Sequence, residues 1–415
     1  MLTNAPKGTK DIMPYEVYKW HYIENKWRDI CERYGFKEVR TPMFEHTELF
    51  QRGIGDTTDV VQKEMYTFED MGKRSITLKP EGTSPAVRAY VEHNVYAEVQ
   101  PTKLFYDIPC FRYEKPQSGR LREFHQFGVE TFGAPNMLAD AEIIALADEF
   151  LNSLGVKDLQ LEINSVGCPT CRAKHRAALK EFLKPKYDEL CDTCKTRFDK
   201  NPMRILDCKS PVCKKLVEGA PMMIDFLCDD CKASFEDLKK NLDAMGIKYV
   251  VNPGIVRGLD YYTKTAFEFV TTSLGAQGTV CGGGRYDNLV EEVGGPKTPG
   301  VGFGLGKERL LMLLEASGVQ IPEPTGCDIF IAVMGEAAKL YGLKLMSDLR
   351  KQGKKVQMDC LQRNFKGQFK YADRQNARFT IVIGDDEIAK GEVSLKNMET
   401  GDQKTIKFED LGREI

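Results

Sequence analysis

Gln126, Gly128 and Glu130 occupy alternate positions of an apolar run, so in an extended chain they share one face while His125, Phe127 and Val129 share the other. A glycine between two polar residues that look the same way leaves room for a ligand against a sheet, with an amide and a carboxylate to hold it. A solvated sheet face with a glycine at a bend would give the same string. Arg112 precedes, and Arg120 and Arg122 follow, the segment Glu114-Lys115-Pro116-Gln117-Ser118-Gly119, which supplies the turn of an antiparallel hairpin. Planar guanidinium forks match phosphate oxygens, so three of them beside the Gln/Glu face point to a phosphate site, although single surface arginines are ordinarily just solvated.

Glycines at 300, 302, 304 and 306 recur with the strand period and leave one face of that strand almost without side chains. A flat aromatic ring fits such a face, and so does close packing against a neighbouring strand. The helix expected next carries Arg309 in its first turn, where the positive end of the helix dipole already favours an anion. Lys79-Pro80-Glu81-Gly82-Thr83 offers a carboxylate and a hydroxyl from a rigid turn, a pair able to grip an ammonium group; Thr83 or Ser84 would equally serve as a helix cap. Cys168/Cys171, Cys191/Cys194, Cys208/Cys213 and Cys228/Cys231 form four pairs, three of them with CxxC spacing. Eight thiolates suffice for two tetrahedral structural zinc sites, against the alternative of plain buried or reactive thiols.

Elements able to position these groups follow from pattern. The 415 residues exceed what one core organises, so roughly two to three domains are expected. Apolar content of 42% and charged content of 29% describe a soluble chain with no membrane-length apolar run. The N-terminus lacks the apolar centre of a signal peptide, so a cytoplasmic location and reduced thiols are expected. A net charge of -2 gives no global basic signal, which leaves nucleic-acid binding to local clusters. A helix is expected over Tyr15 to Tyr34, stopping at Gly35, then a strand from Phe36 to Met43 and the hairpin from Leu104 to Phe132. Residues 167–248, holding eight of the thirteen cysteines, read as a mostly helical insertion. Beyond a linker near 318–328, strands and helices alternate as in a small open α/β domain. No phosphate-binding P-loop and no dinucleotide fingerprint is present, which disfavours the usual nucleotide folds.

Taken together these segments resemble the class II aminoacyl-tRNA synthetases, and within them the histidyl family, over nearly the whole chain. Pro6 to Asp11 is similar to the family's opening, Gly35 to Phe50 to its motif 1, Phe105 to Glu130 to motif 2 and Gly302 to Arg309 to motif 3. Motifs 2 and 3 mark only the class. Arg257-Gly258-Leu259-Asp260-Tyr261-Tyr262 and Gly282-Gly283-Gly284-Arg285-Tyr286-Asp287 resemble the strings specific to the histidyl branch.

The resemblance implies an α+β catalytic domain with an antiparallel sheet (1–325), a helical cysteine-rich insertion within it (167–248) and a C-terminal α/β anticodon-binding domain (326–415). It implies ATP-dependent ligation of L-histidine to tRNA(His) through histidyl-adenylate, with magnesium, by a homodimer. Glu130 and Tyr262 would hold the imidazole, and Glu81, Gly82, Thr83 and Gln126 would surround the ammonium group. Arg112 and Arg257 would grip the histidine carboxylate and α-phosphate, with Tyr261 and Tyr286 walling the pocket; Arg257, Arg112 and Glu81 carry the catalytic expectation. ATP would lie against Arg112, Arg120, Phe124, Gly302, Gly304 and Arg309. Lys115 and Gln117 would meet the tRNA acceptor end. Lys79 stands where many family members have arginine and Lys115 where some do, so a lysine replaces a bidentate fork at each place. Arg363, Lys366, Lys370, Arg374 and Arg378 form a basic stripe for tRNA phosphates, or a merely solvated face. The synthetase-like regulatory subunit of ATP phosphoribosyltransferase is the closest rival; it typically lacks the C-terminal domain and the arginine set.

Overall fold

The computed structural model describes residues 3–54, 58, 60–117, 119–208, 210–255, 260–271, 278–324 and 326–415. They divide into two compact units, Met1–Ile321 and Pro322–Ile415. No helix among the described residues is long and apolar enough to cross a membrane.

The first unit is built on an eight-stranded sheet. Its strands are β1 (Lys37–Glu38), β2 (Thr102–Phe111), β3 (Glu123–Phe132), β4 (Leu159–Ser165), β5 (Val250–Val251), β6 (Thr263–Thr271), β7 (Thr279–Arg285) and β8 (Gly300–Gly306), in spatial order β1-β2-β3-β8-β7-β6-β4-β5. Interior pairs are antiparallel, whereas both edge pairs, β1 with β2 and β4 with β5, are parallel. The strand expected from Phe36 to Met43 pairs only at Lys37 and Glu38.

Alternation along β2 and β3 sorts their side chains by face. One face sends Phe105, Phe127 and Val129 into the main core beneath the helices Pro14–Arg33 and Met137–Ser153. There the Trp27 ring stacks on Phe127 at 4.9 Å and meets Phe150 edge-on at 5.0 Å. Helix Pro14–Arg33 stops where Gly35 takes φ +79°, letting the Phe36 N–H donate to the Cys31 carbonyl at 2.9 Å. The opposite face carries the polar residues and faces the site.

Within 167–248 the helices Pro169–Leu183, Asp192–Lys200 and Pro211–Leu216 surround a small core of Leu179, Leu183, Leu190 and Ile205 that also contains Cys194, Cys208 and Cys213. The last helix, Asp229–Ala244, instead sends Phe235, Leu238 and Leu242 into the main core.

In the second unit, strands β9 (Ile329–Val333), β10 (Val356–Met358), β11 (Phe379–Ile383), β12 (Glu392–Asn397) and β13 (Gln403–Lys407) lie in the order β10-β9-β11-β12-β13. The first three are parallel, as the alternating pattern predicts. The antiparallel extension β12-β13 was not read from sequence, because its buried residues are few: Val393 and Leu395 face the core between polar neighbours.

Candidate functional site

Glu130 ends a run of alternating residues on β3, and its carboxylate is fully buried. The Tyr106 hydroxyl donates to its Oε1 at 3.0 Å and the Tyr286 hydroxyl donates to its Oε2. Tyr106 can lie flat here because Gly128 is its cross-strand partner, and a Cβ at Gly128 or Gly82 would fall inside the tyrosine ring. Burial pushes the Glu130 carboxyl up to about 8, against hydrogen bonds from Tyr286, Thr83 and Tyr106 that pull it down. The same burial raises the phenols of Tyr106, Tyr261 and Tyr286. Tyr261 packs 4.7 Å from Tyr262 and 5.6 Å from Tyr286, closing the wall of an acceptor-rich nest.

The turn before helix Thr83–Glu92 is the second component. Glu81 accepts from the backbone N–H groups of Thr83 at 2.7 Å and Ser84 at 2.8 Å, so its carboxylate is what caps the helix. Gln126 Oε1 accepts from the Gly82 N–H at 3.0 Å, tying this turn to β3. Arg112 Nε donates to the Pro80 carbonyl at 2.7 Å, and the Arg112 guanidinium lies 5.3 Å from the Phe124 ring centroid. Lys79 Nζ is turned away, toward the Thr41 carbonyl at 3.2 Å, and burial lowers its pKa.

Beside the nest lies a cavity of about 690 Å³, a size suited to a small-molecule ligand. Arg112, Arg120, Phe124, Gly306 and Arg309 line it from the hairpin and the start of helix Lys307–Ala316. Arg120 Nη1 pairs with Glu114 Oε2 at 3.2 Å. Burial, then the neighbouring Arg120 charge, lowers the Arg309 pKa. Buried Lys307 anchors this corner by donating to Glu24 at 2.6 Å and to Asp107 at 3.0 Å.

The glycine face of β8 is not bare. A Cβ at Gly300 would meet the Tyr286 ring, at Gly302 the Glu130 carboxylate, and at Gly304 the Gln126 amide. Only Gly306 has open space above it, and it borders the cavity. The repeat therefore accommodates the side chains of the nest, while the open end of the strand, at Gly306, borders the cavity.

The eight cysteines collect into two sets, Cys168, Cys171, Cys228 and Cys231, and Cys191, Cys194, Cys208 and Cys213, with the four sulfurs of each within 4.8 Å of one another. Tetrahedral zinc with bonds of about 2.3 Å wants sulfurs about 3.8 Å apart; Cys168 to Cys228 and Cys191 to Cys208 are both 3.9 Å. Backbone N–H groups of Cys228 and Cys191 donate to Cys171 Sγ at 3.1 Å and Cys213 Sγ at 3.4 Å, as suits thiolates. Burial would raise the Cys168 thiol, but hydrogen bonds with Cys171 and its neighbours bring it down to about 6. The donor set and its spacing fit a metal ion in both places.

The sequence model of the family "Histidyl-tRNA synthetase" matches residues 8–192 and 217–310. The chain belongs to the histidyl-tRNA synthetase family. An anticodon-binding-domain model matches residues 328–415. Histidine-tRNA ligase of Caldanaerobacter subterraneus subsp. tengcongensis is 59% identical over 415 residues, covering 100% of both chains. That of Clostridioides difficile is 57% identical over 416 residues, covering 100% of this chain and 99% of its own. The crystal structure of apo S. aureus histidyl-tRNA synthetase is similar with a TM-score of 0.86 at 43% identity, covering 99% of each chain. The architecture is the class II synthetase fold with a cysteine-rich insertion and a C-terminal anticodon-binding domain.

Of the residues singled out in this histidyl-tRNA synthetase family member, Glu81, Gly82, Thr83, Gln126, Glu130, Tyr261 and Tyr262 surround the nest, and Arg112, Arg120, Phe124 and Arg309 the cavity. Arg257 lies outside the described residues, with Gly258 and Leu259. Lys115 and Gln117 are exposed on the hairpin loop. Sequence reasoning missed Tyr106, whose signal is its position opposite Gly128, visible only once the hairpin register is known. It also missed what Arg285 does: fully buried, it forks onto Asp140 of helix Met137–Ser153 at 3.1 and 3.2 Å and donates to the Ala134 and Asn136 carbonyls. This keeps β7, and Tyr286 after it, in register with the core.

Proposed function

We propose that this chain is a cytoplasmic, homodimeric enzyme that activates L-histidine with ATP as histidyl-adenylate and transfers it to the 3′ end of tRNA(His). The observation that carries the reading is the side-by-side arrangement of an acceptor nest at Glu130 and a cavity rimmed by Arg112, Arg120 and Arg309. Full-length similarity to proteins named histidine-tRNA ligase, together with the anticodon-binding domain, disfavours a purely regulatory role.

The imidazole N–H groups of histidine find acceptors at Glu130 and Tyr262, and its ammonium group lies among Glu81, Thr83 and Gln126. The substrate carboxylate is itself the nucleophile and needs no base. Attack on the α-phosphorus forms the mixed anhydride and expels pyrophosphate, so what the protein must supply is alignment and neutralisation of the charge that grows on the phosphoryl oxygens. Arg112 and Arg257 are assigned to the carboxylate and α-phosphate, Arg120 and Arg309 to the outer phosphates. Phe124 and the open end of β8 at Gly306 support the adenine ring; Gly302 and Gly304 serve by making room for Glu130 and Gln126. ATP enters as its magnesium complex, with Glu64, Glu114 and Glu308 among the carboxylates around the cavity. The two cysteine sets hold structural zinc, which closes the loops of the insertion. Lys115 and Gln117 contact the acceptor end.

Histidine-dependent exchange of pyrophosphate into ATP tests the reading: it is expected with histidine and absent with other amino acids. Arg257→Ala is expected to depress exchange about 100-fold or more while leaving histidine affinity within a few fold. Undiminished exchange in that variant removes Arg257 from the mechanism.

A further inference from the structure

Asp260 is where the cysteine-rich insertion touches the amino-acid nest. It directly precedes Tyr261 and Tyr262, which wall that nest. Its carboxylate Oδ1 accepts from Asn201 Nδ2 at 2.9 Å and from Arg204 Nε at 3.3 Å, and its carbonyl accepts from Arg172 Nη1 at 3.3 Å. All three donors belong to the insertion and sit close to cysteines: Arg172 follows Cys171, while Asn201 and Arg204 lie between Cys194 and Cys208.

Arg204 is the most constrained of them. It is 8% exposed, and its ion pair with the partly exposed Asp260 is shielded from water on the arginine side. It occupies the short turn Pro202–Ile205, four residues before Cys208. Arg197, one helical turn after Cys194, donates through Nη1 to the Arg204 carbonyl at 3.2 Å. Arg204 and Arg197 also reach the nucleotide cavity. Placement of Arg204 is thus set from both sides by the set Cys191, Cys194, Cys208 and Cys213.

We propose that Arg204 is a positioning residue that transmits metal occupancy of this inner cysteine set, through Asp260, to the Tyr261-Tyr262 wall, so that histidine affinity depends on a metal ion that never touches histidine. The proposal rests on the reading of the nest as the histidine site and of the cysteines as metal ligands. Four thiolates closed on one ion fix the 191–213 loop around the Ile205 core; four separate thiols lose that common anchor, and the guanidinium fork loses its aim.

The test is histidine binding by calorimetry on the full chain without ATP, with metal content measured by elemental analysis on the same samples. Zinc-loaded wild type stripped by a chelator is expected to lose about tenfold in histidine affinity. Arg204→Ala, zinc-loaded, is expected to show a similar loss, and stripping it to add little more. Arg204→Lys keeps the charge without the fork and should recover only part. If stripping unfolds the chain, the loaded proteins alone decide: Arg204→Ala and Asp260→Asn should weaken binding non-additively. Wild-type affinity in Arg204→Ala, additive losses, or protein purified without chelator that contains no metal overturns the proposal. Failure of wild type to bind histidine at all instead overturns the functional reading.

Discussion

A carboxylate enclosed by phenols, as Glu130 is by Tyr106 and Tyr286, stays protonated far above the ordinary carboxylate range because its loss of water on burial outweighs the hydrogen bonds it accepts. Its folded-state value of about 8 exceeds the 4.5 of an unburied glutamate. The stability it contributes is therefore fully present below pH 4.5 and is lost as pH rises through about 8. Replacing it by an amide removes that loss. Thermal melting of Glu130→Gln and wild type, compared at pH 6 and pH 9, should show the variant gaining on wild type by roughly 2–4 °C at the higher pH; an unchanged gap would mean that Glu130 is already ionised in the empty nest. The face on which Glu130 lies is readable from the period of two in 125–130. Its partners are not, because Tyr106 comes from β2 and Tyr286 from the residue after β7, and local sequence does not set the register between segments 156 residues apart in the case of Tyr286.

At the scale of elements, β7 and helix Met137–Ser153 are joined by a charge pair with no access to water, Arg285 and Asp140 both being 0% exposed. Removing Asp140 leaves the buried guanidinium with only the partly exposed Asp287 carboxylate, 3.2 Å from Nη1. Asp140→Ala should cost about 3–5 kcal/mol in denaturant unfolding, and a loss under about 1 kcal/mol would mean that Asp287 and the carbonyls of Ala134 and Asn136 suffice for Arg285. The string around Arg285 was legible as a motif, yet its structural duty was hidden, since beside the neighbouring Asp287 the fully buried acid that answers it lies 145 residues earlier. The β8 glycines show the same limit. Their spacing announces a face without side chains but cannot say that Glu130 and Gln126 occupy the vacated space. Helices fared better, because the 3.6-residue repeat and a stop such as Gly35 are local signals.

On the scale of the whole chain, the C-terminal unit carries its charges on the exposed side of helix Phe365–Arg374, which Asn364 caps by accepting from the Gly367 N–H at 2.9 Å. Arg363 is engaged differently: its Nη1 and its backbone N–H both donate to the Asp359 carboxylate, and its guanidinium lies 4.4 Å from the Tyr371 ring. Lys366, Lys370, Arg374 and Arg378 remain exposed. If they meet tRNA phosphates, Lys366→Gln with Lys370→Gln should reduce the slope of log affinity for tRNA against log salt by roughly 1.4; an unchanged slope marks the stripe as a solvated face. Two compact units were foreseeable from length and from the linker near 318–328, and the boundary falls at Ile321 and Pro322. Which cysteine joins which was not, for pair spacing is silent on pairing. The answer is a nested arrangement, one set enclosed within the span of the other. During synthesis on a ribosome the enclosed set is complete once Cys213 has emerged, whereas the enclosing set must wait for Cys231. With both sets read as metal sites, as proposed, the order of emergence gives the enclosed set the first opportunity to capture an ion, and a nascent chain halted between those two cysteines is expected to hold one metal and not two.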